Sequence, residues 1–186
     1  MKTAFIFHGI LGYPEENWFP WLTQELEHMG YVASVPAFPN PNMPRLDEWM
    51  DFFVKKYADT INAETVLIGH SLGTAFALAV VERYPTRALF SVAGFTDEMH
   101  NEFANDMKTF TDHPFDWDAI RANCQRFYVL HGSNDPYVPV QKAKDLSAQL
   151  DCDLTLIEGA GHCNAAAGYT EFPLLLDMIK QLDNEK

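Results

Sequence analysis

Gly69-His70-Ser71-Leu72-Gly73 is the stretch of sequence that decides the fold, because a strand pattern precedes it and a helix pattern follows it. Residues 65–68 (Thr-Val-Leu-Ile) are apolar and partly β-branched, which is typical of an interior parallel strand. Residues 74–81 are rich in Ala and favour a helix. Ser71 is therefore predicted to lie on a sharp strand-to-helix turn, the context of a G-x-S-x-G nucleophile elbow. The alternative is an ordinary loop in which Ser71 caps the following helix.

Strand and helix patterns alternate along the whole chain. The strand patterns cover residues 2–7, 31–35, 65–69, 88–93, 126–130 and 153–157. The helix patterns cover residues 18–28, 46–58, 72–84, 140–150 and 170–182. This alternation predicts an α/β fold with helices on both faces of a parallel sheet, a three-layer α/β/α sandwich of about six strands. Residues 1–186 are expected to form a single domain.

The composition indicates a globular protein with an acidic surface. The 186 residues include 26 acidic and 13 basic side chains, which gives a formal net charge of −13. This charge disfavours nucleic acid and anionic membranes as partners, so a neutral or cationic small molecule is the expected substrate. Because no apolar stretch is long enough to span a bilayer and the sequence opens on a strand pattern, we expect a cytoplasmic location. The sequence does not indicate an oligomeric state.

The three cysteines, Cys124, Cys152 and Cys163, have neither the even number of a disulfide framework nor the spacing of a metal site. We therefore expect packing thiols, and we expect no metal or organic cofactor. Cys163 is adjacent to His162 and is the alternative nucleophile, but no elbow pattern surrounds it.

Two further loops supply the partners that a serine nucleophile needs, a general base and an acid that orients the base. His162 follows the last strand pattern, and Asp135 follows the fifth. Ser71, Asp135 and His162 then occur in the order of the α/β-hydrolase triad, at the carboxyl ends of strands where open α/β sheets place their ligands. Asp97, after the fourth strand pattern, is the alternative acid.

A developing oxyanion also needs hydrogen-bond donors. His8-Gly9-Ile10-Leu11-Gly12 follows the first strand pattern and forms a turn flanked by glycines. The backbone N–H groups of Ile10 and of Leu72, which follows the nucleophile, are the predicted donors. His8, His70 and His131 also lie at predicted strand ends, where we expect them to satisfy local backbone groups.

Residues 96–118 interrupt the regular alternation and are predicted to form a lid over the site. This segment places large apolar side chains among acidic ones: Met99, Phe103, Met107, Phe110, Phe115 and Trp117. The alternative is that these side chains complete the core.

The motifs together resemble the retinoblastoma-binding-protein-nine family of small serine hydrolases, with its bacterial YdeN-like members. The elbow, the Asp135 loop, Gly159-Ala160-Gly161-His162 and the Trp-rich segment at residues 17–22 carry the resemblance. It implies a trimmed α/β-hydrolase fold with strand order 2-1-3-4-5-6, and triad roles for Ser71, Asp135 and His162. The Leu-x-Cys-x-Glu string associated with retinoblastoma binding is absent, because residues 150–154 end in leucine.

The expected function is a metal-independent serine hydrolase that cleaves a small carboxylic ester, or an amide, through an acyl-enzyme. Two alternatives stay open from the sequence. One is an inert binding protein that keeps the fold, since a fold alone does not establish activity. The other is an acyltransferase that uses the same triad.

Overall fold

The computed structural model describes residues 1–185 and contains a six-stranded parallel sheet flanked by helices. The strands are β1 (Thr3–Phe7), β2 (Val32–Ser34), β3 (Val66–His70), β4 (Thr86–Val92), β5 (Cys124–Gly132) and β6 (Leu154–Ile157). The helices are α1 (Phe19–His28), α2 (Leu46–Tyr57), α3 (Leu72–Val81), α4 (Lys108–Thr111), α5 (Trp117–Asn123), α6 (Val140–Leu150) and α7 (Pro173–Asn184). The order β2-β1-β3-β4-β5-β6 confirms the predicted topology.

The strand order reverses between β1 and β3, which lie side by side. Phe7 pairs with Gly69 at the carboxyl ends of these strands, so the loops that follow them meet. Such a switch point is where open α/β sheets bind ligands. Gly73 is required here, because a Cβ on this residue would overlap the carbonyl oxygen of Phe7. The first turn of α3 therefore packs directly on the end of β1.

Alternate side chains of the four inner strands, β1, β3, β4 and β5, enter two separate cores. Phe5 and Phe7 of β1 pack with α2, α3 and α6 on one face of the sheet. Ala4 and Ile6 pack with α1 and α7 on the other face. This alternation follows from the two-residue period of a strand, and it confirms the predicted three-layer sandwich.

Helix α3, which begins directly after Ser71, is the most deeply enclosed helix of the fold. All ten of its residues are buried. A helix that is apolar on every side belongs in the interior of a domain. Consequently the turn that carries Ser71 is anchored to the core by both β3 and α3.

Several predicted element boundaries differ from the structure by one to three residues. The helix pattern at residues 170–182 began too early, because α7 begins at Pro173. Proline is accommodated in the first turn of a helix and disfavours helical backbone in the residue before it. The segment at residues 96–118 contains α4 and the start of α5, which the sequence patterns did not predict.

A carboxylate near the end of α7 ties together the amino ends of three strands. Asp183 accepts hydrogen bonds from Lys2 Nζ at 2.9 Å, Tyr31 OH at 2.7 Å and Arg87 Nη1 at 3.0 Å. These three donors lie next to the starts of β1, β2 and β4. This ionic network therefore lies at the edge of the sheet opposite to the carboxyl ends of the strands.

The helices are short. The longest, α2 and α7, have 12 residues each. A helix needs about 20 apolar residues to span the hydrocarbon core of a bilayer. None of the helices within residues 1–185 has the length and apolar character to do so.

Candidate active site

Ser71 occupies a strained turn between β3 and α3. Its backbone has φ 55° and ψ −124°, a combination that side-chain-bearing residues rarely adopt. The turn is held because the Ser71 N–H donates to the Val92 carbonyl at 2.9 Å. A Cβ at Gly69 would lie 2.6 Å from the backbone nitrogen of Thr74, so only glycine fits there. The structure thus has the strand, turn and helix that the G-x-S-x-G pattern predicts.

Asp135 and His162 meet above the carboxyl ends of β5 and β6. The Nδ1 atom of His162 lies 2.7 Å from Asp135 Oδ2, and the carboxylate side chain is fully buried. A carboxylate accepts only, so Nδ1 carries the proton and Nε2 has the free lone pair when the ring is neutral. This is the tautomer that a general base needs.

The second carboxylate oxygen of Asp135 is fixed by backbone groups. Oδ1 accepts hydrogen bonds from the N–H groups of Tyr137 at 2.8 Å and Val138 at 3.0 Å. Burial raises the pKa of Asp135, but the hydrogen bond from His162 and these backbone donors outweigh it and hold the pKa below its usual value. The carboxylate is therefore ionised at neutral pH.

The loops after β5 and β6 interlock around this pair. Ser133 Oγ accepts from the Gly159 N–H at 3.0 Å, and Asn134 Oδ1 accepts from the Gly161 N–H at 2.7 Å. A Cβ at Gly132 would overlap the Gly161 carbonyl oxygen. Sequence reasoning did not identify Ser133 and Asn134, whose only signal was their place beside Asp135.

Ser71 and His162 line one cavity of about 430 Å³. Because Asp135 occupies Nδ1 of His162, Nε2 is the ring nitrogen available to Ser71. The hydrogen bonds within residues 1–185 do not include one between Ser71 Oγ and His162. Such contacts are often long in free enzymes and shorten when substrate binds.

Asp97, the alternative acid, lies elsewhere. Its carboxylate contacts Lys142 Nζ at 2.6 Å, and its side chain is 61% exposed. Of the two acids considered, the structure brings Asp135 to His162 and gives Asp97 a surface ion pair.

The loop after β1 lies against the nucleophile. A Cβ at Gly9 would lie 3.1 Å from Ser71 Cβ, and Ile10 lines the cavity. The next N–H, of Leu11, donates to the Pro41 carbonyl at 2.8 Å. Leu72 is the first residue of α3, where backbone N–H groups have no partner within the helix. The two predicted oxyanion donors therefore lie on either side of Ser71, Ile10 in the loop after β1 and Leu72 at the start of α3.

The cavity has an apolar part and a polar part. The apolar lining comes from Ile10, Phe95, Met99, Phe103, Met107 and Val138. The polar lining, besides Ser71 and its histidine neighbours, comes from Glu16, Asn17, Asn101, Glu102, Tyr137 and Asn164. The predicted lid segment contributes to both parts. It also serves the core, because Phe110 is buried with its ring centroid 5.2 Å from that of Trp49.

The buried histidines outside the Asp135 pair each contact a backbone carbonyl. For His8 and His131 this carbonyl is local, as predicted, whereas for His70 it lies in another loop. His8 Nδ1 lies 2.9 Å from the Gly9 carbonyl oxygen, and His131 Nε2 lies 2.9 Å from that of Val138. His70 Nε2 lies 2.9 Å from the carbonyl oxygen of His162 itself. Burial lowers the pKa of all three, that of His70 to about 3.

Cys163 does not have the properties of a nucleophile. Burial raises the pKa of its thiol to about 12, so the thiolate is scarce at neutral pH. No group of three or more His, Cys, Asp or Glu side chains converges to hold a metal ion in the part of the chain described.

The sequence matches one family model over nearly its whole length. The model is that of the serine hydrolases, and it matches residues 4–181. The YdeN protein of Bacillus subtilis (strain 168) is 30% identical over 182 residues, which are 96% of this chain and 94% of YdeN. The serine hydrolase RBBP9 of Rattus norvegicus is 26% identical over 167 residues, which are 89% and 86% of the two chains.

Solved structures show the same fold. The crystal structure of the ydeN gene product from B. subtilis has a TM-score of 0.91 at 29% identity, with both chains fully covered. Est1E from Butyrivibrio proteoclasticus, solved with ferulic acid bound, has a TM-score of 0.74 at 18% identity, covering 100% of this chain and 89% of Est1E.

Proposed function

The chain belongs to the serine hydrolase family, and from this premise we propose that it cleaves a small carboxylic ester through Ser71, His162 and Asp135. The observation that carries the proposal is the 2.7 Å contact between Asp135 and His162 beside a cavity that Ser71 also lines. That contact sets the tautomer of the imidazole, and the elbow exposes the serine hydroxyl to the same space.

The proposed reaction has two halves. Ser71 Oγ attacks the ester carbonyl carbon while its proton moves to Nε2 of His162. His162 then gives this proton to the alkoxy oxygen as the C–O bond breaks, which leaves the acyl group on Ser71. Water attacks this acyl-enzyme, again giving a proton to Nε2, and the proton returns to Ser71 Oγ as the acid departs.

Two groups stabilise charge in this scheme. Asp135 is ionised and buried, so it favours the imidazolium that forms when His162 takes the proton. The N–H groups of Ile10 and Leu72 donate to the oxyanion. Removing one such donor from a hydrolase costs about 3 kcal/mol of transition-state stabilisation.

The cavity suggests the class of substrate. Apolar side chains from residues 96–118 fit an apolar acyl group, and the volume of about 430 Å³ suits a small molecule. Glu16 and Glu102 disfavour a substrate that carries its own carboxylate near them. A cytoplasmic location is part of the proposal, and fluorescence imaging of a tagged chain tests it.

Labelling with a fluorophosphonate probe tests the proposal. The wild type is expected to form a covalent adduct at Ser71, located by peptide mass spectrometry, and Ser71→Ala is expected to form none. Ser147→Ala is a matched control, because Ser147 lies in α6, bonds to the Lys144 carbonyl of the same helix and does not line the cavity. A folded wild-type protein that neither labels nor turns over 4-nitrophenyl butyrate contradicts the proposal.

The same assay separates hydrolysis from acyl transfer. Added alcohol or hydroxylamine competes with water for the acyl-enzyme. Hydrolysis predicts that free acid is the main product without such acceptors. Turnover that appears only with an acceptor identifies an acyltransferase instead.

A further inference from the structure

We propose that His70 and Trp18 are positioning residues, which hold the loop of His162 by hydrogen bonds to two consecutive backbone carbonyls. The inference rests on the proposed function, because it concerns how the general base is kept in place. It assigns a task to the variable position of the G-x-S-x-G pattern, directly before the nucleophile.

Both contacts are buried and have good geometry. His70 Nε2 lies 2.9 Å from the carbonyl oxygen of His162. Trp18 Nε1 lies 2.9 Å from the carbonyl oxygen of Cys163. A carbonyl oxygen accepts only, so His70 Nε2 and Trp18 Nε1 must each donate a hydrogen bond. This requirement fixes the tautomer of His70, with the proton on Nε2.

His70 carries no charge at any pH at which the enzyme is expected to work. Burial, and then the charge of His162 nearby, lower the pKa of His70 to about 3. The ring therefore stays neutral beside the general base. A second cation 4.9 Å from the His162 ring, the distance between the ring centroids, would oppose the imidazolium that catalysis forms.

The loop needs such anchors because its backbone is strained. Gly161 and Cys163, on either side of His162, have φ values of 55° and 50°. A non-glycine residue at positive φ persists only where the surrounding structure holds it. The hydrogen bonds to the carbonyls of His162 and Cys163 fix the two peptide planes that follow the His162 Cα atom, and so the direction in which its side chain leaves the backbone. Asp135 then needs to set only the rotation of the ring.

The turn that carries Ser71 is thus tied to the general base by one hydrogen bond, from the His70 side chain to the backbone of His162. Ser71 follows His70 directly, and the carbonyl that His70 binds belongs to His162. A displacement of the His162 loop relative to the turn that carries Ser71 would lengthen or break this hydrogen bond. A shift of about 1 Å in such a pair can cost about 100-fold in rate.

Variants of His70 test the proposal. His70→Phe keeps an aromatic ring but removes the donor, and we expect kcat for 4-nitrophenyl butyrate to fall about 10- to 100-fold with little change in KM. His70→Gln restores an N–H donor of similar reach and is expected to recover most of kcat. Wild-type kcat in folded His70→Phe overturns the assignment.

A spectroscopic measurement separates positioning from general stability. The proton shared by His162 and Asp135 is expected at low field in the proton NMR spectrum of the wild type and of His70→Gln. In His70→Phe the resonance should broaden or disappear, because the ring loses its fixed orientation. An unchanged resonance together with an unchanged pH profile means that His70 only fills space.

Trp18→Phe provides a second test if His70→Phe does not fold. It removes the donor to Cys163 and keeps an aromatic side chain against Phe19. Trp49→Phe is the matched control, because Trp49 Nε1 donates at 2.9 Å to the Pro39 carbonyl, away from the His162 loop. We expect similar losses of stability but a fall in kcat only for Trp18→Phe. Equal kcat values in the two variants contradict the proposal.

Failure of this inference differs from failure of the proposed function. If Ser71 is not a nucleophile, the wild type does not react with a fluorophosphonate. If only the positioning role is wrong, the wild type reacts and His70→Phe and Trp18→Phe react at the same rate.

Discussion

Asp135 Oδ2 and His162 Nδ1 lie 2.7 Å apart although 27 residues separate them in the sequence. The contact exists because β5 and β6 are neighbours and their following loops bind each other through Asn134 and Gly161. The pairing of β5 with β6 and the contact between their loops thus place the backbones of the acid and the base close together.

Asp135→Asn is expected to lower kcat about 10⁴-fold, because an amide can donate to Nδ1 and stabilise the wrong tautomer of His162. Asp97→Asn is the matched control and should stay within about threefold, because the Asp97 side chain is mostly exposed and does not contact His162. Steady-state hydrolysis of 4-nitrophenyl butyrate measures both. The reverse pattern would mean that Asp97 is the acid.

His70 should make the free energy of unfolding depend on pH. Its pKa of about 3 in the folded protein lies below the unfolded value of 6.5, so the stabilisation is complete above pH 6.5 and declines as the pH falls. Between pH 6.5 and 5.5 the free energy of unfolding of the wild type should fall by about 1 kcal/mol more than that of His70→Gln. Urea unfolding at the two pH values measures the difference. Parallel losses would contradict the burial of a neutral His70.

Gly73→Ala is expected to destabilise the protein by about 3 kcal/mol or more, because the added Cβ would overlap the Phe7 carbonyl oxygen. Gly30→Ala is a useful comparison. Gly30 has φ 85° with open space around its Cβ position, so the cost is that of the backbone conformation alone, about 1 kcal/mol. Thermal and urea denaturation give the two values, and equal losses would argue against the tight packing of α3 on β1.

Phe103→Ala should change the preference for acyl length. Phe103 lines the cavity, so its removal makes room, and the ratio of kcat/KM for octanoate over butyrate esters should rise about 10-fold. Trp117→Ala controls for general effects in the same segment, because Trp117 packs near Phe115, outside this cavity. A flat length profile in the wild type would count against a shaped apolar pocket.

Sequence patterns and the family resemblance together predicted the architecture. Strand and helix periodicities gave the three layers, and the resemblance implied the strand order that the structure confirms. The family itself is confirmed by the model matched over residues 4–181. The layers were accessible because they depend on local periodicity, whereas the strand order and the family came from the resemblance of the motifs.

The hydrogen bonds that hold the His162 loop were not predictable in the same way. The hydrogen bond from Trp18 to Cys163 spans 145 residues, and no local pattern encodes it. His70 was expected to satisfy a local backbone group, whereas its acceptor is the carbonyl of His162, 92 residues away. Such partners become visible only when strand order and loop conformation are both known.

The ionic network around Asp183 has a practical consequence for experiments. Lys2 and Asp183 are in contact at the edge of the sheet remote from Ser71. A fluorescent reporter or an immobilisation tether attached next to either residue should therefore leave the mouth of the cavity open.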